Sequence, residues 1–184
     1  MKKVFIIHGF KGWPNGGWRS WLMSELDKKE IYACSIFLPN PNNPSLKDWT
    51  GEISRYIKMN KGDEIYLVGH SLGVTAILRC LENIPENISG AVLVSGPIKP
   101  VENNLISSFL SEPFDFEKIR SKALKFLIIH GDNDSRVPFE NAQILSKGLG
   151  CNLTVIKNGG HLTGSEGWKK QPQVLAGLVE MMRK

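Results

Sequence analysis

Cysteine is scarce in this sequence, and its spacing excludes the usual roles of clustered thiols. The 184 residues contain three cysteines, Cys34, Cys80 and Cys151, an odd number with no C-x-x-C spacing. This pattern argues against a zinc site and a disulfide framework, and it favours reduced thiols in a cytoplasmic protein. No metal or organic cofactor is indicated.

Long hydrophobic runs and blocks of like charge are also absent. No window approaches the length of a membrane span, and the apolar stretch near the N-terminus is too short for a signal peptide. The formal net charge is +5, but lysine and arginine are scattered, with runs of only two at positions 2–3, 28–29 and 169–170. We interpret this as charge that favours solubility, and we expect neither nucleic acid nor a membrane as a partner.

Strand-like and helix-like segments alternate along the chain, without a repeat or linker. We expect strands at 3–7, 31–38, 64–68, 88–94, 124–129 and 152–157, and helices at 18–29, 46–59, 74–81, 139–147 and 173–182. Residues 97–118 look less regular. The alternation predicts one domain spanning 1–184, an α/β fold in which about six parallel strands lie between two helical layers as an αβα sandwich. Ligands of such sheets bind at the carboxyl ends of the strands.

The most informative stretch is the G-x-S-x-G pentapeptide at residues 69–73, with Ser71 at its centre. A β-rich apolar run precedes it and a helical segment without a breaker follows it. A strand, a sharp turn and a helix in this order are typical of a nucleophile elbow. The glycines fit because the apex is strained and larger neighbours would collide with the strand or helix. The pattern favours Ser71 as a nucleophile over a serine that only caps a helix.

A serine hydroxyl needs a base to take its proton and a third group to orient that base. His161 follows the last predicted strand, after two glycines that let its loop approach Ser71. It stands where the chain order Ser, acid, His places the base. For the acid, a G-x-x-D-x-x-V-P pattern selects Asp134. Asp132, which we expect to brace the turn through its own backbone, and the more distant Asp115 remain alternatives.

Two further features of a hydrolytic site can be assigned to residues. A tetrahedral intermediate needs two N–H donors for its oxyanion, and we expect these from the backbones of Leu72, directly after the nucleophile, and Phe10, in the loop after the first strand. Trp13, Trp18 and Phe109 are candidates for an apolar pocket that accepts short acyl groups.

The sequence resembles the α/β-hydrolases, and more narrowly the small, lidless serine hydrolases of the retinoblastoma-binding hydrolase and YdeN type. The resemblance covers nearly the whole chain. It is carried by H-G-F at 8–10, P-N-P at 39–41 with the later Trp49, G-H-S-L-G at 69–73, the Asp132/Asp134 turn and G-G-H at 159–161. It implies a sheet that lacks the first two strands of the full fold. It also implies esterase-like hydrolysis of small acyl esters.

Two functional interpretations stay open at this point. The favoured one is a serine hydrolase that forms an acyl-enzyme with a small-molecule acyl substrate; ester, thioester, amide and peptide bonds are not distinguished. The alternative is a binding or scaffolding protein with little or no turnover, because a fold alone does not fix a function. An L-x-C-x-E match at 78–82 lies on a predicted buried helix, so we do not expect it to bind a protein partner.

Overall fold

The computed structural model describes residues 1–100 and 102–183 and confirms a three-layer αβα architecture. Its strands are β1 (Lys2–Ile7), β2 (Tyr32–Ser35), β3 (Glu64–His70), β4 (Gly90–Val94), β5 (Phe126–Gly131) and β6 (Asn152–Ile156). Its helices are α1 (Arg19–Asp27), α2 (Leu46–Met59), α3 (Leu72–Asn83), α4 (Phe116–Arg120), α5 (Glu140–Leu149) and α6 (Pro172–Met181).

The six strands form one parallel sheet in the order β2-β1-β3-β4-β5-β6. The chain runs outward from β1 to β2 and then crosses back to place β3 on the other side of β1. The strand order therefore reverses between β1 and β3. At such a switch point the loops diverge and leave a crevice at the carboxyl ends of the strands, which is where open α/β sheets bind ligands.

Two apolar layers hold the helices to the sheet, one on each face. On one face, helices α2, α3 and α5 pack around Trp49, Leu78 and Leu145, which are at most 1% exposed. On the other face, α1 and α6 pack around Leu22 and Leu178, both fully buried. The central strands are covered on both sides, which explains their uninterrupted apolar sequences.

Helix α2 shows how local sequence signals set a boundary. Ser45 has an extended backbone, and its hydroxyl accepts a hydrogen bond from the N–H of Asp48 at 3.3 Å. This satisfies one of the free N–H groups of the first turn, and the helix begins at Leu46 as predicted. Trp49, Ile53 and Ile57 form its buried stripe, spaced four residues apart.

The segment between β4 and β5 is more ordered than the sequence predicts. It contains a 3₁₀ turn at Ser107–Phe109 and the short helix α4. Asp115, the most distant alternative for the acid, caps α4 by accepting a hydrogen bond from the N–H of Lys118 at 2.9 Å. Sequence periodicity missed α4 because five residues span little more than one helical turn.

Residues 1–100 and 102–183 contain no helix long and apolar enough to cross a membrane. Within the same residues, no group of three or more His, Cys, Asp or Glu side chains is arranged to hold a metal ion.

Candidate active site

Ser71 lies at the apex of a strained turn between β3 and α3. Its φ and ψ angles are 54° and −127°, a conformation that is costly for a residue with a side chain. The flanking glycines allow it. A Cβ on Gly69 would lie 2.8 Å from Ile77 Cδ1, and one on Gly73 would lie 2.7 Å from the carbonyl oxygen of His8. The strained apex directs Ser71 into the crevice between β1 and β3, as a nucleophile elbow requires.

His161 links Ser71 to Asp134 through both ring nitrogens. Its Nε2 lies 2.9 Å from Ser71 Oγ, and its Nδ1 lies 2.7 Å from Asp134 Oδ2. A carboxylate can only accept, so Nδ1 carries the proton and the Nε2 lone pair faces the serine hydroxyl. His161 and Asp134 are 3% and 7% exposed, so bulk water does not compete for these bonds. This is the geometry for base-assisted attack by a serine.

The carboxylate of Asp134 is held in its ionised form. Burial acts to raise the pKa of Asp134, but hydrogen bonds from His161 and from the backbone N–H groups of Val137 and Arg136 outweigh it. The two backbone donors reach Oδ1 at 3.0 and 2.9 Å. The pKa of Asp134 therefore lies below its usual range, so a negative charge faces His161 at neutral pH.

Asp132 has a different contact. It is exposed, and its Oδ1 accepts a hydrogen bond from the N–H of Asn158 at 2.7 Å, so it braces the neighbouring turn rather than its own. The adjacent Asn133 accepts from the N–H of Gly160 at 2.8 Å. These two side chains tie the turn after β5 to the turn that carries His161. Of the three acids considered from the sequence, the structure places only Asp134 against the histidine.

Three other histidines surround this chain of hydrogen bonds, all buried. His70 is 6% exposed, and its Nε2 donates to the carbonyl oxygen of His161 at 2.9 Å. Burial lowers the pKa of His70 to about 3, so it stays neutral at physiological pH. Burial also lowers the pKa of His8 and of His130, whose Nε2 donates to Val137 at 2.9 Å. Of the four histidines, only His161, the base that the sequence favoured, faces the serine; the bracing bond from His70 had no sequence signal.

The two residues proposed as oxyanion donors both lie near Ser71. Leu72 is the first residue of α3, where an N–H has no partner within the helix. Phe10 follows Gly9, and a Cβ on Gly9 would lie only 2.8 Å from Ser71 Cβ. The loop after β1 therefore runs directly past the serine. Across the described parts of the chain, neither N–H donates to a protein acceptor.

The three aromatic residues predicted to form an acyl pocket do not come together. Trp13 is 57% exposed and lies outside the cleft, with its ring beside Phe37. Phe109 is fully buried, packed against Trp49 in the core, and does not reach the serine. Trp18 does line the cleft, but its ring is only 1% exposed and its Nε1 donates to Leu162 at 3.0 Å. The expected apolar mouth is therefore absent.

A largely polar cleft opens at Ser71 instead. Its volume is about 400 Å³. Its walls are the glycine-rich loop after β1, the start of α1, the turn after β5 and the segment 161–169. Glu166 braces that segment, because its carboxylate accepts from the N–H groups of His161 at 3.2 Å and Thr163 at 3.0 Å.

Comparison with known proteins gives a consistent assignment. The model of the family described as "Serine hydrolase" matches residues 4–180. YdeN of Bacillus subtilis is 33% identical over 186 residues, covering 100% of this chain and 97% of that protein. The serine hydrolase RBBP9 of Rattus norvegicus is 22% identical over 169 residues, covering 89% of each chain.

Solved structures show the same fold. The crystal structure of the B. subtilis ydeN gene product superimposes with a TM-score of 0.94 and covers all of both chains at 33% identity. The esterase domain of a Rhodothermus marinus protein reaches a TM-score of 0.71 at 14% identity, covering 98% of this chain and 86% of that one. The second likeness is informative for the fold alone.

Proposed function

The chain belongs to the serine hydrolase family and has the α/β-hydrolase fold, and we propose that it hydrolyses small carboxylic esters through an acyl-enzyme on Ser71. The observation that carries this proposal is the continuous hydrogen-bonded chain from Ser71 Oγ through His161 to Asp134, at 2.9 and 2.7 Å. The resemblance to the small serine hydrolases, which implies esterase-like hydrolysis, supports the choice of an ester bond.

In the proposed mechanism, Ser71 Oγ attacks the acyl carbonyl while His161 Nε2 takes the hydroxyl proton. Asp134 remains ionised and stabilises the imidazolium that forms. The N–H groups of Phe10 and Leu72 stabilise the negative charge that develops on the carbonyl oxygen. His161 then returns the proton to the leaving alcohol, and water repeats the sequence to release the acid and free Ser71.

The site should favour small acyl groups, because no inserted lid among the described residues adds apolar surface that could hold a long acyl chain. The described part of the segment between β4 and β5, where a lid could be inserted, contains only a 3₁₀ turn and the five-residue α4. A long acyl chain would find no apolar channel in the polar cleft.

We also propose a cytoplasmic location, which the three free thiols support.

Turnover of 4-nitrophenyl esters tests this function. We expect the wild type to hydrolyse the acetate and butyrate esters, and the rate of hydrolysis to fall as the acyl chain lengthens towards the palmitate ester. Ser71→Ala should reduce turnover by orders of magnitude without changing the circular dichroism spectrum. Equal activity of Ser71→Ala and wild type would eliminate the proposed mechanism, and a steady rise in activity up to palmitate would eliminate the preference for small acyl groups.

A further inference from the structure

The cleft at Ser71 is lined by cations from four separate segments of the chain. Lys11 lies in the loop after β1, Arg19 begins α1, Arg136 lies in the turn after β5, and Lys169 precedes α6. No Asp or Glu is among the residues that line this cleft. The chain as a whole has 23 basic and 18 acidic residues, so an even spread of charge would place both signs here.

These cations are not neutralised by the protein. Throughout the described residues, none of the four forms an ion pair with a carboxylate. Two carboxylates lie nearby: Asp134 is behind His161 with no exposed side-chain surface, and Glu166 accepts hydrogen bonds from backbone N–H groups of the segment 161–169. The four cations outnumber these two carboxylates, so the cleft presents an excess of positive charge beside the nucleophile.

Arg19 is the most informative of the four because it is only 7% exposed. Its Nε and Nη2 donate to the carbonyl oxygen of Trp13 at 3.1 and 2.7 Å, and Nε also donates to that of Pro14 at 3.3 Å, while Nη1 has no acceptor among the described residues. Burial lowers the pKa of Arg19 to about 10, so it is still charged at pH 7. A buried cation without a counter-ion is costly, and an anionic ligand would supply the missing partner.

We propose that the substrate carries an oxyanion, such as a carboxylate, on the part that occupies this cleft. The proposal rests on the proposed hydrolase function and narrows its substrate class to anionic esters. Guanidinium groups favour planar oxyanions, which they bind through paired hydrogen bonds. The lysines at the rim would attract the anion and help to orient it.

Two matched ester pairs test the proposal and locate the charge. On the acyl side, the mono-4-nitrophenyl ester of glutarate is compared with 4-nitrophenyl pentanoate. On the alcohol side, 4-acetoxybenzoate is compared with its methyl ester. We expect the anionic member of at least one pair to have a kcat/KM about tenfold higher, and the difference to shrink at high salt. Equal or faster turnover of both neutral members would overturn the proposal and leave the hydrolase function standing.

Charge-neutralising variants test whether the cleft causes the preference. Arg136→Gln combined with Lys169→Gln should reduce the ratio of anionic to neutral turnover, and both side chains are exposed, so the fold should tolerate the change. Lys61→Gln is a control for the loss of a distant charge, because Lys61 is exposed and precedes β3, at the amino ends of the strands, whereas the cleft lies at their carboxyl ends. An equal change of the ratio in Lys61→Gln would contradict a local effect.

A measurement without turnover separates this proposal from the hydrolase function. Glutarate should slow the labelling of Ser71 by a fluorophosphonate, and glutaramide at the same concentration and ionic strength should not. Equal protection by both compounds would overturn the anion site even in a protein that hydrolyses no ester. Selective protection by glutarate without turnover of any ester would support the anion site and count against the hydrolase function.

Discussion

Replacing Asp134 with Asn should disable the site through the histidine tautomer. Two backbone N–H groups point at Asp134 Oδ1, so the amide of an Asn would place its oxygen there. Its NH₂ group would then face His161 Nδ1, which would have to become an acceptor. The proton would move to Nε2, and the nitrogen that faces Ser71 would be unable to take the hydroxyl proton.

The loss of charge adds to this effect. A carboxylate and an imidazolium about 4 Å apart attract each other by ~4 kcal/mol at an effective dielectric constant of about 20. At about 1.4 kcal/mol per tenfold in rate, this alone corresponds to roughly a thousandfold. We therefore expect Asp134→Asn to lower kcat for a 4-nitrophenyl ester by about three to four orders of magnitude.

Asp132→Asn is the matched control, because it makes the same chemical change two residues away in the same turn. It should retain kcat within about threefold, since the amide oxygen of Asn can still accept the hydrogen bond from the Asn158 N–H, and Asp132 does not contact His161. The reasoning would be refuted if Asp134→Asn kept more than a tenth of wild-type activity while folded. It would also be refuted if Asp132→Asn lost as much.

Three further predictions concern stability. Gly73→Ala should lower the melting temperature by several degrees, because the new Cβ would press against the backbone at His8. An unchanged melting temperature would show that the turn between β3 and α3 can accommodate the extra methyl group. The free energy of unfolding of the wild type should decrease from pH 7 to pH 5, and in His70→Gln this decrease should be smaller by about 2 kcal/mol, as measured by urea unfolding at both pH values. The folded-state pKa of His70 is lowered to about 3, so only the unfolded chain takes up the proton in that window, and stability falls as the pH falls; an unchanged pH dependence would contradict this. Glu82→Ala should lower the free energy of unfolding, measured in urea, by about 3 kcal/mol, because it leaves the buried Arg79 without its 2.9 Å ion pair. An unchanged free energy of unfolding would show that hydrogen bonds to backbone carbonyl groups are enough to stabilise the buried Arg79.

The L-x-C-x-E match illustrates how a motif depends on its structural context. Leu78, Cys80 and Glu82 all lie on α3, and none is more than 8% exposed. Glu82 is held by Arg79 and by the N–H of Asp115 at 2.8 Å. The helix, which is buried as the sequence predicts, cannot present these residues as an extended peptide without unfolding.

Signals that act over a few residues predicted much of the fold and the centre of the site. The cap at Ser45 located the start of α2, and the glycines around Ser71 predicted a turn that the structure shows with a φ of 54°. The parallel direction of the strands followed from the alternation of elements, because parallel strands need crossover connections, which are usually helices. These features depend on local geometry, so a single sequence carries them.

Features that depend on long-range convergence could not be predicted in the same way. Lys11, Arg19, Arg136 and Lys169 are up to 158 positions apart, and their scatter along the chain suggested only charge for solubility; the fold brings them to one cleft. Phe109 was expected at the mouth, but a 3₁₀ turn directs it into the core. Composition does not show which aromatic or cationic residues a loop turns inward.

Covalent labelling with a fluorophosphonate, followed by mass spectrometry of the peptides, tests the central claim most directly. An uncharged probe reacts with a serine hydroxyl only where a base activates it. We predict a single adduct on Ser71 in the wild type, none in Ser71→Ala, and labelling slowed by orders of magnitude in His161→Ala. Unchanged labelling in Ser71→Ala, or no labelling of a wild type shown to be folded, would contradict an activated serine at this site.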